Sequence, residues 1–378
     1  MRPLELYIHI PFCISKCKYC DFLSAPSSEE ERTDYVERLC ADIRSYDDLG
    51  RSYRVVSIFV GGGTPSVLRA EQMKRIFCAI KETFVLTDDA EITLEMNPGT
   101  VEREKLKCYK SMGINRLSIG LQSANNEELK LLGRIHTYEE FLHTYEMARE
   151  EGFSNINIDL ISGVPGQTVD SWEKTLRIVA ELDPEHISAY SLIIEEGTPF
   201  YDLYGEGGEC AQLLPEEEVE RKMYQRTKEI LEGYSYHRYE ISNYAKKGYE
   251  CRHNLGYWER TEYLGLGAGA ASLLDNRRWT QSEDIQTFAK ESKRRMEKGD
   301  VLSKEEQMEE FMFLGLRKTE GVSRKVFEQT FGCTMDSVYG NVISDMVQKD
   351  LLKDAGDFLR LSELGLDVSN YVMSEFLL

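Results

Sequence analysis

The strongest constraint on the fold is a strand–helix repeat that runs through the first 200 residues. The apolar runs of this repeat predict six strands: Leu6–Ile10, Val55–Val60, Glu91–Met96, Arg116–Gly120, Asn155–Leu160 and His186–Ser191. The amphipathic segments between them predict helices, among them Glu29–Asp48, Ala70–Phe84, Glu127–Leu132, Tyr138–Glu151 and Val169–Glu181. Strands that alternate with helices indicate right-handed βαβ units, wound into a barrel or into an open doubly wound sheet.

The pattern changes after residue 200. A glycine-rich loop at 205–208 precedes a predicted helix, Pro215–Glu232, and an aromatic-dense stretch, Tyr234–Trp258. A second glycine-rich segment, Gly265–Ala271, is followed by a tail whose patterning is helical apart from a short charged hairpin around Leu351–Leu361. The tail therefore predicts a small, mainly helical domain.

The amino-acid composition limits which cellular compartment and which binding partners are expected for the protein. A formal net charge of −20 argues against a nucleic-acid partner, because phosphate binding needs clustered lysine and arginine. The nine cysteines are an odd number and six are scattered, which argues for a reducing compartment. No signal-peptide pattern is visible, and the longest weakly polar run, Gly265–Leu274, is about half the length that crosses a bilayer. We therefore expect a cytoplasmic protein that is not an integral membrane protein.

Cys13, Cys17 and Cys20 point most directly to chemistry. These three thiols lie within eight residues, directly after the first predicted strand. A tetrahedral zinc site usually takes four protein ligands, and no fourth cysteine or histidine follows closely. Three thiolates on a cubane iron–sulfur cluster would leave one iron open to a small ligand. The alternative is that the three are buried structural cysteines, which rarely crowd so tightly.

Polar and glycine residues recur where the later strands end. The run Gly61-Gly62-Gly63-Thr64-Pro65 follows the second strand, Glu95 and Gln122 end the third and fourth, and Asp159 lies on the fifth. Parallel α/β folds bind ligands at the carboxyl ends of their strands, so this recurrence predicts a ligand site there. For any single residue, capping of the following helix is the alternative.

The motif Cys-x3-Cys-x2-Cys, with Tyr19 before its third cysteine, resembles the radical S-adenosylmethionine (SAM) superfamily. The resemblance implies that Cys13, Cys17 and Cys20 hold a [4Fe–4S] cluster and that SAM chelates its open iron. The glycine block lies one βα unit later, as the superfamily's SAM-binding glycine motif does. Gly62, Gly63 and Thr64 would accordingly contact SAM.

Several further blocks, covering nearly the whole chain, resemble the oxygen-independent coproporphyrinogen III oxidase subgroup of that superfamily. They lie at Tyr7–Cys13, Gly61–Pro65, Glu95–Pro98, Gly120–Ser123 and Leu132–His136. This resemblance implies further contacts with SAM, from Tyr7, Glu95, Gln122, Arg134 and Asp159. Arg134 would lie nearest the SAM carboxylate, and Gln122 and Asp159 nearest the ribose.

One departure separates two branches of the subgroup. The oxidases carry a further cysteine two residues after the third cluster cysteine, where this chain has Phe22, and they carry an N-terminal extension that is missing here. The chain instead contains His253-Asn254-Leu255-Gly256-Tyr257-Trp258, which resembles the His-Asn-x-x-Tyr-Trp motif of the haem chaperone branch, the HemW proteins. It therefore resembles the chaperones more than the oxidases.

His253 is the histidine with the best case for ligating haem. Histidine is a common axial ligand, and Tyr249, Tyr257 and Trp258 would supply aromatic walls. Judged without the family, a lone histidine beside aromatic residues is more often a structural hydrogen-bonding group. Cys251 is a possible thiolate ligand, although no haem-attachment motif surrounds it. The weaker candidates are His9, His136, His143, His186 and His237.

The resemblance implies a haem chaperone that binds a [4Fe–4S] cluster, SAM and one haem. It would receive haem from a donor protein and deliver it to acceptor haem proteins such as respiratory enzymes. The alternative is an enzyme that converts coproporphyrinogen III to protoporphyrinogen IX by SAM radical chemistry, which Phe22 argues against. A tRNA-modifying radical SAM enzyme is a third class, and the acidic charge argues against it.

The expected fold is an α/β fold, an incomplete (β/α)6 radical SAM barrel with a small, mainly helical, winged-helix-like C-terminal domain. The expected division places the barrel with its cluster and SAM site at 1–235, a connecting region with the His253 motif at 236–300, and the C-terminal domain at 301–378.

Overall fold

The computed structural model describes residues 1–378, except for the side chains of residues 291, 293 and 294. Six parallel strands lie side by side in chain order at the centre of a twelve-stranded sheet. They are β1 (Arg2–Ile10), β2 (Tyr53–Gly62), β3 (Leu86–Met96), β4 (Arg116–Gln122), β5 (Ile156–Ser162) and β6 (His186–Ser191). The sheet does not close on itself, so the predicted incomplete (β/α)6 barrel is confirmed.

Short strands extend both edges of this parallel unit. The extensions are β7 (His237–Arg238), β8 (Asn243–Ala245), β9 (Tyr263–Leu266), β10 (Ala271–Leu274), β11 (Arg277–Thr280) and β12 (Asp300–Val301). Strand β9 pairs parallel with β1, and β10, β11 and β12 follow antiparallel. On the other edge, β8 pairs antiparallel with β6 and with β7. The sequence analysis predicted none of these strands, because they are short and lie in glycine-rich or aromatic-rich sequence.

The helices between the parallel strands match the sequence prediction closely. Apart from a four-residue helix, Asp47–Gly50, the α-helices up to residue 233 are α1 (Glu29–Arg44), α2 (Ala70–Thr83), α3 (Arg103–Met112), α4 (Asn126–Leu132), α5 (Tyr138–Glu150), α6 (Val169–Glu181), α7 (Pro199–Tyr204) and α8 (Glu217–Gly233). Capping boxes begin α1 and α5: the Ser28 hydroxyl accepts from the Glu31 amide, and the Glu31 carboxylate accepts from the Ser28 amide. Helix α1 ends at Arg44, earlier than predicted, and α3 was not predicted.

The two faces of β1 show how the barrel is built. Leu4, Leu6 and Ile8 are fully buried in the main hydrophobic core, which the helices cover. Because strand side chains alternate between faces, Glu5 and His9 lie on the opposite, inner face. Both are buried as well. The interior of the barrel is therefore polar, and its buried titratable groups need partners or a ligand.

The remaining elements lie after the barrel. They are α9 (Arg252–Trp258), α10 (Phe288–Lys298), α11 (Lys304–Gly315), β13 (Val322–Ser323), α12 (Arg324–Phe331), α13 (Met335–Gln348), β14 (Leu352–Ala355), β15 (Phe358–Leu361), α14 (Glu363–Asp367) and α15 (Ser369–Ser374). Residues from Met308 to Phe376 form a second hydrophobic core around the three-stranded sheet β13-β15-β14. Within the described chain, no helix is both long enough and apolar enough to cross a membrane.

Candidate functional site

A hydrogen-bond network joins the carboxyl ends of β2, β3 and β4. The Asn97 side-chain amide donates to the Thr64 hydroxyl at 2.8 Å, and its oxygen accepts from the Arg134 Nη2 atom at 2.8 Å. The same guanidinium nitrogen donates to the carbonyl of Gly120 at 2.7 Å. Ligand sites of parallel α/β folds lie at this end of the strands. The network thus holds Thr64 and Arg134, both selected from the sequence, in one place.

The cysteine loop lies directly against this network. The Thr64 hydroxyl donates to the sulfur of Cys13 at 3.5 Å, and Arg134 Nη1 donates to the sulfur of Cys17 at 3.4 Å. Cys13, Cys17 and Cys20 are all partly exposed, and none forms a disulfide. Burial raises the pKa of Cys20, so a bound cation would be needed to favour its thiolate.

The three thiols of the cysteine loop are not grouped as ligands of one metal ion. Among the residues whose side chains are described, no three His, Cys, Asp or Glu groups could hold one ion together. In a cubane each cysteine binds a different iron, so its ligands need not converge on one point. Two backbone hydrogen bonds of Lys18 hold the loop: its amide donates to the carbonyl of Leu132, and its carbonyl accepts from the amide of Phe200.

At Gly62 the backbone lies close to the side chain of His9. Its φ of +106° lies in the region that favours glycine, and a Cβ atom would lie 2.5 Å from the His9 ring. His9 in turn contacts the hydroxyl of Tyr7 at 3.0 Å through Nδ1 and the carbonyl of Leu23 at 2.9 Å through Nε2. Tyr7 is therefore linked to the glycine block through His9.

Two carboxyl groups with partly buried side chains, Glu95 and Asp159, lie on neighbouring parts of the barrel interior. Burial raises the pKa of Glu95 to about 8, and the charge of Asp159 adds to this shift. The Glu95 carboxylate accepts from the Gly62 amide at 3.2 Å. Burial also raises the pKa of Asp159, although hydrogen bonds from Asn157 and Ser118 oppose the shift. A bound cation or hydroxyl donor would stabilise both ionised groups.

Gln122 ends β4 in an unusual backbone conformation. Its φ is +74°, and the register between β4 and β5 shifts between Gly120 and Gln122. Non-glycine residues at positive φ are uncommon and often lie at functional sites. The residues expected to contact SAM thus occupy one region at the carboxyl ends of β2 to β5, with Tyr7 reaching it through His9.

The structure places His253 elsewhere, in the barrel interior beside the middle of β1 and β2. Its side chain is 1% exposed, and its ring stacks on Phe59. Nδ1 lies 2.8 Å from the Ser57 hydroxyl, and Nε2 lies 3.2 Å from the Tyr257 hydroxyl. Burial lowers the pKa of His253 to about 3, and Arg116 adds to this, so the ring is neutral. Whichever tautomer is present, both ring nitrogens have a partner.

One face of helix α9 packs into the barrel in the same way. Glu91 accepts from the amides of Arg252 and His253 at 3.2 Å each, which caps the first turn of the helix. Gly256 lies so close to Glu5 that a Cβ atom would be 2.1 Å from its carboxylate oxygen. His253, Gly256 and Tyr257 are therefore spaced so that one face of α9 packs against polar residues of the strands.

Sequence reasoning missed three interior residues. Asn97 joins Thr64 to Arg134; it lies in the block Glu95–Pro98 that resembles the subgroup, but it was not selected as a site residue. Glu91 caps α9 from a distant strand, which no local pattern reveals. Arg116 is 2% exposed; burial disfavours its charge, but nearby acidic groups, including Glu91, still raise its pKa. The roles of these three residues depend on contacts with residues that lie far away in the chain.

Comparison with known proteins agrees with this geometry. The model of the Radical SAM superfamily matches residues 7–179, and that of the HemN C-terminal domain matches residues 302–368. The solved structure of coproporphyrinogen III oxidase (HemN) from Escherichia coli superposes with a TM-score of 0.86 at 24% identity. The alignment covers 100% of this chain and 90% of that one, which establishes a shared fold. The fold and the cysteine site define a radical SAM protein.

Curated relatives identify the family more narrowly. The protein Heme chaperone HemW of Lactococcus lactis is 36% identical over 100% of this chain and 98% of its own length. HemW of Bacillus subtilis is 37% identical, with 98% of each chain covered, and HemW of Escherichia coli is 34% identical over 100% and 99%. The chain belongs to the HemW family of radical SAM proteins, and this family carries a SAM-binding [4Fe–4S] scaffold.

Proposed function

We propose that this protein is a haem chaperone, which binds haem and transfers it to acceptor haem proteins. The observation that carries the proposal is full-length similarity to proteins named Heme chaperone HemW. The chain has Phe22 where oxidases of the subgroup carry a further cysteine, and this side chain is 62% exposed on the cluster loop. The haem donor, the acceptors such as respiratory enzymes, and the cytoplasmic location are parts of this proposal.

On this proposal, Cys13, Cys17 and Cys20 hold the [4Fe–4S] cluster. When bound, the cluster supplies a low-potential electron and an open iron for SAM. The chain's own contribution is to hold the site. The Arg134 guanidinium donates a hydrogen bond to the sulfur of Cys17, and the Thr64 hydroxyl donates one to the sulfur of Cys13.

The proposed SAM site is built from groups whose chemistry suits the parts of that ligand. The backbone at Gly62 and Gly63 allows close approach, Glu95 suits an ammonium, and the Arg134 guanidinium suits a carboxylate. The other proposed contacts come from Tyr7 on β1, Thr64 after β2, Gln122 at the end of β4 and Asp159 in the middle of β5. The division into residues 1–235, 236–300 and 301–378 belongs to the same proposal.

The experiment that tests the proposal is a haem titration of the anaerobically reconstituted protein. We expect about one haem per chain, in protein with its cluster and in a variant with Cys13, Cys17 and Cys20 replaced by alanine. Mixing the haem-loaded protein with an apo-respiratory haem enzyme should then restore the activity of that enzyme. Absence of stoichiometric haem binding by the wild-type protein would refute the chaperone function.

The fold shared with HemN supports one alternative, oxidation of coproporphyrinogen III. An anaerobic assay with reconstituted cluster, SAM, a reductant and coproporphyrinogen III decides between the two. We expect no vinyl-bearing product, because Phe22 cannot take the place of the missing cysteine. Formation of protoporphyrinogen at full cluster occupancy would establish the enzymatic function instead.

The prediction that His253 ligates haem stays a prediction, and its surroundings do not favour it. Both ring nitrogens are engaged, by Ser57 and Tyr257, and the side chain is buried. Coordination of iron would need one of these contacts to open. The hydrogen bonds of His253 with Ser57 and Tyr257 indicate that it holds α9 in place.

A further inference from the structure

The carboxylate of Asp159 lies at one end of a series of hydrogen bonds that crosses the barrel interior. Ser118, Asn157 and His186 are register partners on the neighbouring strands β4, β5 and β6. Because strand side chains alternate between faces, Asp159 faces the same side of β5 as Asn157, two residues before it. Ser118, Asn157 and His186 are all buried. Their polar groups therefore need partners inside the protein.

Asn157 joins the two ends of this series. Its amide nitrogen donates to Oδ1 of Asp159 at 2.8 Å and to the Ser118 hydroxyl at 2.7 Å. Its amide oxygen accepts from the Ser188 hydroxyl at 3.1 Å and lies 2.6 Å from Nδ1 of His186. The Ser118 hydroxyl donates to the second carboxylate oxygen of Asp159 at 3.0 Å. Turning the amide over would place its oxygen against the carboxylate, so the ionised Asp159 fixes the orientation of Asn157.

These contacts also determine where the proton of His186 lies. Because the oxygen of Asn157 can only accept, Nδ1 of His186 must carry the proton and donate it. Nε2 is then an acceptor, and the Tyr239 hydroxyl donates to it at 2.8 Å. That hydroxyl accepts in turn from the amide of Cys251 at 3.3 Å. Burial lowers the pKa of His186 well below its usual value, so the ring is neutral and keeps this single donor.

The Asp159 network therefore joins five residues in one direction: Tyr239, His186, Asn157, Ser118 and Asp159. Hydrogen bonds that polarise one another in such a series are stronger than the same bonds taken separately. The far end of the network is anchored, because the carbonyl of Tyr239 accepts from the amide of Thr319 at 3.0 Å. A carboxylate has about four acceptor positions, so positions on Asp159 remain for hydroxyl donors of a ligand.

We propose that His186 is a positioning residue for SAM: through Asn157 it holds the Asp159 carboxylate in the orientation that accepts the ribose hydroxyl groups. The inference rests on the proposed contact of Asp159 with the SAM ribose and adds the residues that set its geometry. His186 itself contacts no ligand, because both of its ring nitrogens have partners inside the protein. The network thus gives this histidine a role other than haem ligation.

The test is a calorimetric SAM titration of the protein with its cluster reconstituted. His186→Leu removes the donor to Asn157, and SAM should bind about tenfold more weakly. His186→Asn keeps an amide N–H near the place of Nδ1, so its SAM affinity should stay within about twofold of the wild-type value. The control is Thr227→Val, which removes a buried hydrogen bond from Trp172 between α6 and α8. It should lose stability and bind SAM as wild type does.

A double-mutant cycle separates positioning from a general structural effect. In Asp159→Asn protein, which lacks the carboxylate, adding His186→Leu should weaken SAM binding by less than about twofold. Structural damage would instead weaken binding by the same factor in both backgrounds. A milder variant, Tyr239→Phe, removes the donor that keeps the proton of His186 on Nδ1, and it should weaken binding in the same direction. Unfolding midpoints and iron content show that each variant is folded and holds its cluster.

The outcomes distinguish this inference from the proposed function. If folded, cluster-loaded His186→Leu and Tyr239→Phe both bind SAM as wild type does, the positioning role is overturned and the haem-chaperone function stands. Equal losses in the wild-type and Asp159→Asn backgrounds overturn it as well. If wild-type protein binds no SAM, the SAM site and the positioning role fail together. If it binds SAM with the expected cycle but binds no haem, the chaperone function fails and the positioning role stands.

Discussion

Replacing His253 by alanine should destabilise the barrel strongly. The change removes a buried ring that stacks on Phe59 and leaves the hydroxyls of Ser57 and Tyr257 without that partner. A lost buried hydrogen bond costs about 1 kcal/mol, and loss of packing adds to it, so we expect about 3 kcal/mol at pH 7. Urea unfolding followed by tryptophan fluorescence measures the change. His143→Ala, at an exposed histidine, should alter stability by less than about 0.5 kcal/mol.

The pH dependence of the same variant gives a second, sharper test. The pKa of His253 is lowered to about 3 by burial, whereas the unfolded value is about 6.5. Below pH 6.5 the unfolded state binds the extra proton, so the wild-type protein loses stability as the pH falls, by up to about 1.4 kcal/mol per unit. The advantage of wild type over His253→Ala should shrink from about 3 kcal/mol at pH 7 to about 1 kcal/mol at pH 5.

The haem spectrum separates this structural role from ligation. If His253 only holds Tyr257, folded His253→Ala should bind haem more weakly and keep the wild-type absorption spectrum. Our reasoning would be refuted by a variant as stable as wild type at pH 7 whose haem spectrum has changed. That result would mean that His253 coordinates iron and that the contact with Tyr257 opens on binding.

Three other outcomes are expected. Cys17→Ala should abolish the visible absorbance and bound iron of the reconstituted protein, whereas Cys78→Ala, at an exposed cysteine, should keep both. Arg134→Gln removes the guanidinium that bridges Asn97 and Cys17, and calorimetry should show SAM binding about tenfold weaker with the iron content intact. Burial raises the pKa of Glu5 to about 9. Because wild type loses stability as the pH rises above 4.5, the stability of Glu5→Gln relative to wild type should increase, by about 3 kcal/mol at pH 7. A difference in stability that is constant from pH 5 to 8 would contradict this.

The sequence predicted the parallel strands well because local signals set them. Apolar runs, turn residues and caps such as Ser28 and Thr137 act within a few residues of one another. The short strands β7 to β12 were missed, since strands of this length gain their hydrogen bonds from neighbours distant in the chain. The end of α1 at Arg44 was also missed, because a separate four-residue helix, Asp47–Gly50, continues the helical pattern.

The residues of the candidate site also divide into those that are close in sequence and those that only the fold brings together. Cys13, Cys17 and Cys20 are close in sequence, so they lie on one loop whatever the rest of the fold. Glu95, Arg134 and their neighbours were selected from family motifs, and only the fold places them at adjoining strand ends. Asn97 shows the limit of this reasoning, because its role depends on two partners far away in the chain, Thr64 and Arg134.

The sequence by itself determined the repeat of strands and helices, the cysteine loop and the family of the protein. It also predicted a haem-related function for the segment from His253 to Trp258, which stays a prediction. Tertiary structure alone decided how that segment is used: Glu91 caps its helix, Gly256 packs on Glu5, and the ring of His253 is enclosed. Whether a histidine is a ligand or a buried hydrogen-bonding group depends on which distant strands surround it, and no local spacing records that.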